Sequence, residues 1–338
     1  MFAAISEAIA VHQGMPGPQA VTPERWAPPV GQALIATQAA MAPLPVSMQL
    51  CLPSPLWDWP ADAPGSMSAR AYEFCSYAAK RPGEWGRYEA SSQRLSDAYA
   101  LFLSALAPSS MATAAQAALT DATNLTQVNY GNGPKMMPDW MITQSPDAFV
   151  AASVGKPGLA ATIVVDLTRP RGTGPQEPLF SVGKGAAAAP IMLAAGAVTR
   201  LELHADAWAD VAVRPGAWFD GALVRLLSRG PFQGGLTFDS FFGPAGILRG
   251  MVTGLQVGLN VTVVATLDGR AASAIQREVA GRRPVAVAGF VYDAAGLEAS
   301  TADGMETLTF PAASMVSETG TPAANVPMIV GVGISTIA

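Results

Sequence analysis

Between positions 198 and 213 hydrophobic and polar residues alternate. Leu201, Leu203, Ala205, Ala207, Ala209, Val211 and Val213 share one parity, while Arg200, Glu202, His204, Asp206, Trp208 and Asp210 share the other. A period of two is the signature of a strand with one buried and one wetted face. The pattern therefore predicts one long strand over 198–213, ended by Pro215-Gly216. A second alternating run covers 256–267, with Val257, Leu259, Val261, Val263, Ala265 and Leu267 on one side and Asn260, Thr262 and Thr266 on the other. Further strands are predicted over 162–167, 179–182, 190–193, 284–292, 306–310 and 326–337.

The first half of the chain follows a different rhythm. Leu95, Ala98, Tyr99, Phe102 and Leu106 recur at helical spacing and predict a helix over 91–106. Pro108 stops it, and Ser109-Ser110 caps a third, Ala-rich helix to about residue 120. The other helix of this set is predicted over 66–80, with Ala71, Phe74, Cys75 and Ala78 inward, and Pro82-Gly83 breaks it. Residues 129–146, with Gly131, Gly133, Pro134 and Pro138, read as a loop carrying Met136, Met137, Trp140 and Met141. Phe219, Leu223, Leu226 and Leu227 predict a short helix after Pro215-Gly216, and 237–255 reads as helical pieces interrupted at Gly243-Pro244.

Residues 14–64 hold 11 of the 28 prolines together with Trp26, Trp57 and Trp59. Proline at that density forbids long helices and central strands. The stretch is too apolar for a flexible linker, so it is expected to lie extended over a surface with the tryptophans as anchors. The strands after residue 160 lack regular βαβ alternation, which points to antiparallel pairing. The expected fold class is α+β: a helical, Pro/Trp-rich N-terminal half, residues 1–155, packed on a mostly antiparallel, β-sandwich-like body, residues 156–338.

Composition narrows the function classes. Only 13% of residues are charged, against 50% hydrophobic, and the net charge is −5. Nucleic acid is excluded as a partner, because phosphate contacts need clustered cations. Scarce charge leaves apolar exterior that a chain covers by association. The C-terminal run has no charge after Glu318, and Val326, Met328, Val330, Val332 and Ile334 share one parity. It belongs either in its own sheet or in that of a neighbouring subunit. Together with Trp26, Trp57 and Trp59 these residues form the expected interface of a homo-oligomer.

Candidate chemistry is sparse. His204 is one of two histidines, and Asp206 two residues on shares its face, a spacing that places the pair as weak metal ligands with Glu202 as a third. Gly183-Lys184-Gly185 and Gly155-Lys156-Pro157-Gly158 lack the flanking residues of a phosphate-binding loop and read as turns. Nucleophile-elbow, zinc-protease and paired Cys-x-x-Cys motifs do not occur, and no cofactor is implied. Cys51 and Cys75 are expected as free thiols. The N-terminus has no basic n-region and carries Glu7, unlike a signal peptide, and no apolar run reads as a membrane-spanning helix. A cytoplasmic location or export without a signal follows from that reading. The expectation for function is a non-enzymatic, self-associating structural protein: a coat, filament or inclusion component. The alternatives are a membrane-active, pore-forming toxin-like protein, whose strands have barrel length, and a hydrolase working through a carboxylate pair.

Overall fold

The computed structural model describes residues 47–50, 75–79, 90–130, 133–144, 146–168, 179–183, 189–243, 245–281, 284–288, 290–316, 325 and 327–337. In chain order, β1 (Ser47–Leu50), β2 (Tyr77–Ala79) and β3 (Ala90–Arg94) precede helices α1 (Leu95–Ala105) and α2 (Ser110–Thr120). The hairpin β4 (Leu125–Tyr130) and β5 (Gly133–Pro138) leads to β6 (Trp140–Ile142), α3 (Pro146–Ser153), β7 (Ala161–Asp166), β8 (Phe180–Val182) and β9 (Ala189–Ile191). Then come β10 (Val198–Ala205), β11 (Ala207–Pro215), α4 (Gly221–Leu226), α5 (Asp239–Phe242), β12 (Gly250–Leu259) and β13 (Thr262–Leu267). The chain continues through α6 (Gly269–Val279), β14 (Val285–Val287), β15 (Phe290–Tyr292), β16 (Glu298–Ala302), β17 (Met305–Phe310) and β18 (Pro327–Thr336). All the strand pairings among the described residues are antiparallel, and with the helices they make an α+β arrangement.

The alternation over 198–213 is real, but it spans two strands. β10 joins the sheet β16-β17-β13-β10-β7, and β11 joins the sheet β1-β18-β12-β11-β6. The run over 256–267 divides in the same way into β12 and β13. The two long strands keep one register through the break: His204 stands opposite Thr262 on one side of it, and Ala207 opposite Leu259 on the other. At the break Asp206 faces Asn260. The Asp206 amide donates to the Leu259 carbonyl at 2.9 Å, and Asn260 Nδ2 donates to Asp206 Oδ2 at 2.8 Å. Asn260 takes φ +52°, a left-handed conformation that asparagine tolerates better than other residues with side chains.

The corner divides the interior into two cores. Inward residues keep their parity across it, yet Leu201, Leu203 and Ala205 enter a first core with Val261, Val263 and Ala265, whereas Ala207, Val211 and Val213 enter a second with Leu255, Val257 and Leu259. The first core is closed by β8, β14, β15, β17 and α6. Asp268 caps α6 by accepting from the Ala271 amide at 2.8 Å, and Ala271, Ala272, Ile275 and Val279 face inward. The second core is roofed by α1, whose Leu95, Ala98, Tyr99, Phe102 and Leu103 are buried. Tyr99, Phe102, Trp218, Phe219, Phe238, Phe241 and Phe242 pack ring against ring there, with centroids 4.5–6.5 Å apart. Helices from the first half of the chain thus share a core with strands from the second.

Several expectations need correction. The helix predicted over 66–80 falls mostly outside the described residues, and its end is β2, paired with β3. Residues 91–94 are strand rather than helix, because the apolar rhythm begins only at Leu95. The predicted loop over 129–146 is a hairpin followed by β6. Its glycine turns the chain at φ +120° (Gly133), and Pro134 and Pro138 sit on a strand of a two-stranded ribbon, where a missing N–H is tolerated. The stretch 250–255 is the start of β12, not a helix. β12 is buried on both faces, so its sequence shows no alternation there. Helix α6 and the fully exposed β16 were not expected. The C-terminal strand β18 lies between β1 and β12, pairing with β12 along its length and with β1 over 331–334.

Where β12 gives way to β13 the ladder frees the Val261 carbonyl, and the buried Tyr292 hydroxyl donates to it at 2.7 Å. Tyr292→Phe removes the donor and leaves a buried acceptor unpaired, which costs about 1–3 kcal/mol. Urea unfolding followed by far-UV circular dichroism should show a lower midpoint with an unchanged slope.

Candidate functional site

The richest polar cluster among the described residues sits on the outer face of β7, β10 and β13. Alternation on β10 brings Arg200, Glu202 and His204 to this face, and pairing sets Thr162 of β7 and Thr262 of β13 on either side of His204. Glu202 is shared: Arg200 Nε lies 2.9 Å from Oε1 and His204 Nε2 lies 3.0 Å from Oε2. The other imidazole nitrogen, Nδ1, lies 3.0 Å from Thr162 Oγ1. Both ring nitrogens of His204 are therefore engaged. A neutral ring protonated on Nε2 donates to Glu202 and accepts the Thr162 hydroxyl proton on Nδ1.

A hydroxyl, an imidazole and a carboxylate in line can orient the ring and pass a proton along it. Arg200 holds the second oxygen of Glu202, which makes the carboxylate a bridge between two donors. The cluster is open to water, with the His204 side chain 39% exposed. Pairs at that exposure contribute little to stability. What the chain of contacts does is tie β7 to β10 at a fixed register.

Asp206 does not join His204. Two-residue spacing aligns side chains only while a strand runs straight, and here the strand turns at Asp206, whose carboxylate accepts from Asn260. Among the described residues, no group of three or more His, Cys, Asp and Glu side chains is placed to hold a metal ion. The expected interface residues Trp26, Trp57, Trp59 and Val326 lie outside the described residues, as does Cys51. Met328 is buried against the first core rather than exposed. Val330, Val332 and Ile334 belong to the doubly paired β18. Cys75 is a free thiol buried in the second core. No described helix is long and apolar enough to cross a membrane.

The surface of the helical layer is the feature that sequence reading missed. Leu101 on α1 is 53% exposed, Met111 on α2 45%, Leu226 on α4 66%, and Met136 on β5 and Met141 on β6 are each 56% exposed. The chain from Ala98 to Thr120 carries no charge, and α2 buries only Ala112. The uncharged run was legible in the sequence, but which of its residues faced water was not. Comparison with protein-family models, with curated proteins and with solved structures finds no match for this chain.

Three buried groups hold their protons more tightly than usual. Burial pushes the Cys75 thiol well above its ordinary 9.0, the Tyr99 phenol up to about 12, and the Tyr292 phenol well above 10.0. Among the described residues the buried Tyr99 hydroxyl has no hydrogen-bond partner of good geometry, with the Asp220 main chain beside it. Because the folded pKa values are raised, the unfolded chain loses these protons first. Their contribution is full below pH 9 and declines as pH rises, from 9.0 for the thiol and from 10.0 for the two phenols. Urea midpoints measured between pH 7 and pH 11 should fall over that window. Tyr99→Phe should keep the neutral-pH midpoint, since no hydrogen bond is lost, and should flatten the fall above pH 10.

Proposed function

We propose that this protein is a self-associating structural component whose copies bury the apolar exterior of the helical layer. The observation that carries this reading is the set of large apolar side chains standing in water on α1 and α2, Leu101 and Met111 foremost. Exposed single apolar residues are ordinary, but several on adjoining elements with no charge between them mark a surface that another molecule covers. α1 and α2 are such elements: they pack on each other, and neither carries a charge from Ala98 onward. The low overall charge, 13%, supports the same reading, since little repulsion keeps copies apart.

Sedimentation velocity of the full chain, over concentrations from about 1 to 100 μM, tests the proposal. The expected result is a mass above 34.8 kDa that grows with concentration. The double variant Leu101→Glu/Met111→Glu, which places carboxylates on exposed positions, should weaken association at least tenfold without lowering the unfolding midpoint. A strict 34.8 kDa monomer throughout would overturn the reading.

A further inference from the structure

We propose that Thr162, His204 and Glu202 form an acyl-transfer site that cleaves small, reactive esters, with Thr162 as the nucleophile. This activity is separate from the association reading and stands or falls without it. A hydroxyl is a weak nucleophile until a base beside it takes its proton, and the base serves best when a third group holds it in line. All three parts are present. Thr162 Oγ1 lies 3.0 Å from His204 Nδ1, and His204 Nε2 lies 3.0 Å from Glu202 Oε2. Arg200 Nε, 2.9 Å from Oε1, fixes the far side of the carboxylate. With Nε2 donating to Glu202, Nδ1 is left as an acceptor, so the ring meets the Thr162 hydroxyl as a base.

The polar groups nearby have other partners. Thr262, on the other flank of His204, receives the Ala312 amide at 2.9 Å. The Asp206 carboxylate accepts from Asn260, and Asp166, opposite Arg200, accepts from Thr168. Access follows from the phase of the ladder. The Leu167 amide donates to the Thr199 carbonyl at 2.8 Å, and bonded pairs recur at every second residue. Thr162 and His204 therefore face each other in a non-bonded pair, where cross-strand side chains stand closest. The same phase turns the Thr162 N–H away from β10, and β7 is the last strand of its sheet among the described residues. A carbonyl arriving from that side meets the hydroxyl and this N–H together, and the N–H receives the charge that develops on oxygen. Val164, 45% exposed two residues along, offers an apolar contact for a short acyl or aryl group.

The reaction balances without a cofactor. Thr162 Oγ1 bonds to the ester carbonyl carbon while its proton passes to His204 Nδ1. The carbon–oxygen bond to the leaving group breaks, and the imidazolium returns the proton to the departing oxygen. Water then attacks the acyl-threonine and gives a proton to Nδ1. That proton goes back to Thr162 Oγ1 as the carboxylic acid leaves. Glu202 accepts from Nε2 throughout and steadies the imidazolium that forms in each half. The cluster is open to water, so the substrates it suits are small esters with good leaving groups rather than chains that need a deep cleft.

The full chain incubated with p-nitrophenyl acetate tests this. The expected result is release of p-nitrophenolate above the buffer rate, with an acetyl group on Thr162 located by peptide mass spectrometry. Thr162→Ala should remove that acetyl group and lower the release rate about tenfold or more, and Thr162→Ser should keep both. Glu202→Gln, which preserves shape but not charge, should slow release by about tenfold or more. These side chains face outward, so circular dichroism should be unchanged in all three variants. Release at the wild-type rate from Thr162→Ala would mean that the imidazole attacks the ester directly, and it would overturn the assignment. Acetyl groups confined to lysines or to the N-terminus, wild-type release from Glu202→Gln, or no release above buffer would overturn it too. Sedimentation of the wild-type chain is read separately, so any of these results leaves the association proposal standing.

Discussion

The fold depends on two strands turning a corner together. Asp206 and Asn260 face each other where β10–β11 and β12–β13 leave one sheet for another, with the Asn260 amide donating to the Asp206 carboxylate and the Asp206 amide to the Leu259 carbonyl. Without the turn, an unbroken ladder from 198 to 215 would bury its apolar parity in a single flat layer. With it, the same alternating residues serve two cores. The turn also explains residues that alternation assigns to solvent. Trp208, on the outward parity of β11, packs against the first core because the second sheet presents its reverse face there. Gln256 is 2% exposed, and its Oε1 accepts from Trp208 Nε1 at 3.4 Å. Gly258 lies where a Cβ would stand 3.0 Å from Val261 and 3.4 Å from the Trp208 ring.

Much of this was legible from residue order, and the failures share a cause. Period-two runs named the right residues as inward on β10, β11 and β13, because burial on one face is a local property. The corner was not legible, because Asp206 and Asn260 are ordinary polar members of their outward rows until a second strand stands opposite. β12 resisted reading for the opposite reason: covered on both sides, it has no polar row to mark a period. Pro134 and Gly133 signalled a loop, yet a two-stranded ribbon accommodates both. The helix over 95–105 was found because its apolar face repeats over three turns, while Ser91 to Gln93, lacking that face, were drawn into β3.

The candidate site shows the same division between local and long-range information. That His204 would be outward among carboxylates follows from parity alone, and the structure places it so. Its partners could not be read in full: Glu202 is two residues away in the chain, but Thr162 reaches His204 only because β7 pairs with β10. Asp206, equally near in sequence, is lost to the corner. The result is a solvent-open cluster on β10 joined to β7 by the Thr162–His204 contact.

A consequence of the shared ladder concerns how the molecule comes apart. Each of the two long strands contributes to both cores, and their register runs through the corner without a slip. Neither core can lose its central strands while the other keeps them, so heating should melt the interior as a single cooperative block rather than as two lobes in succession.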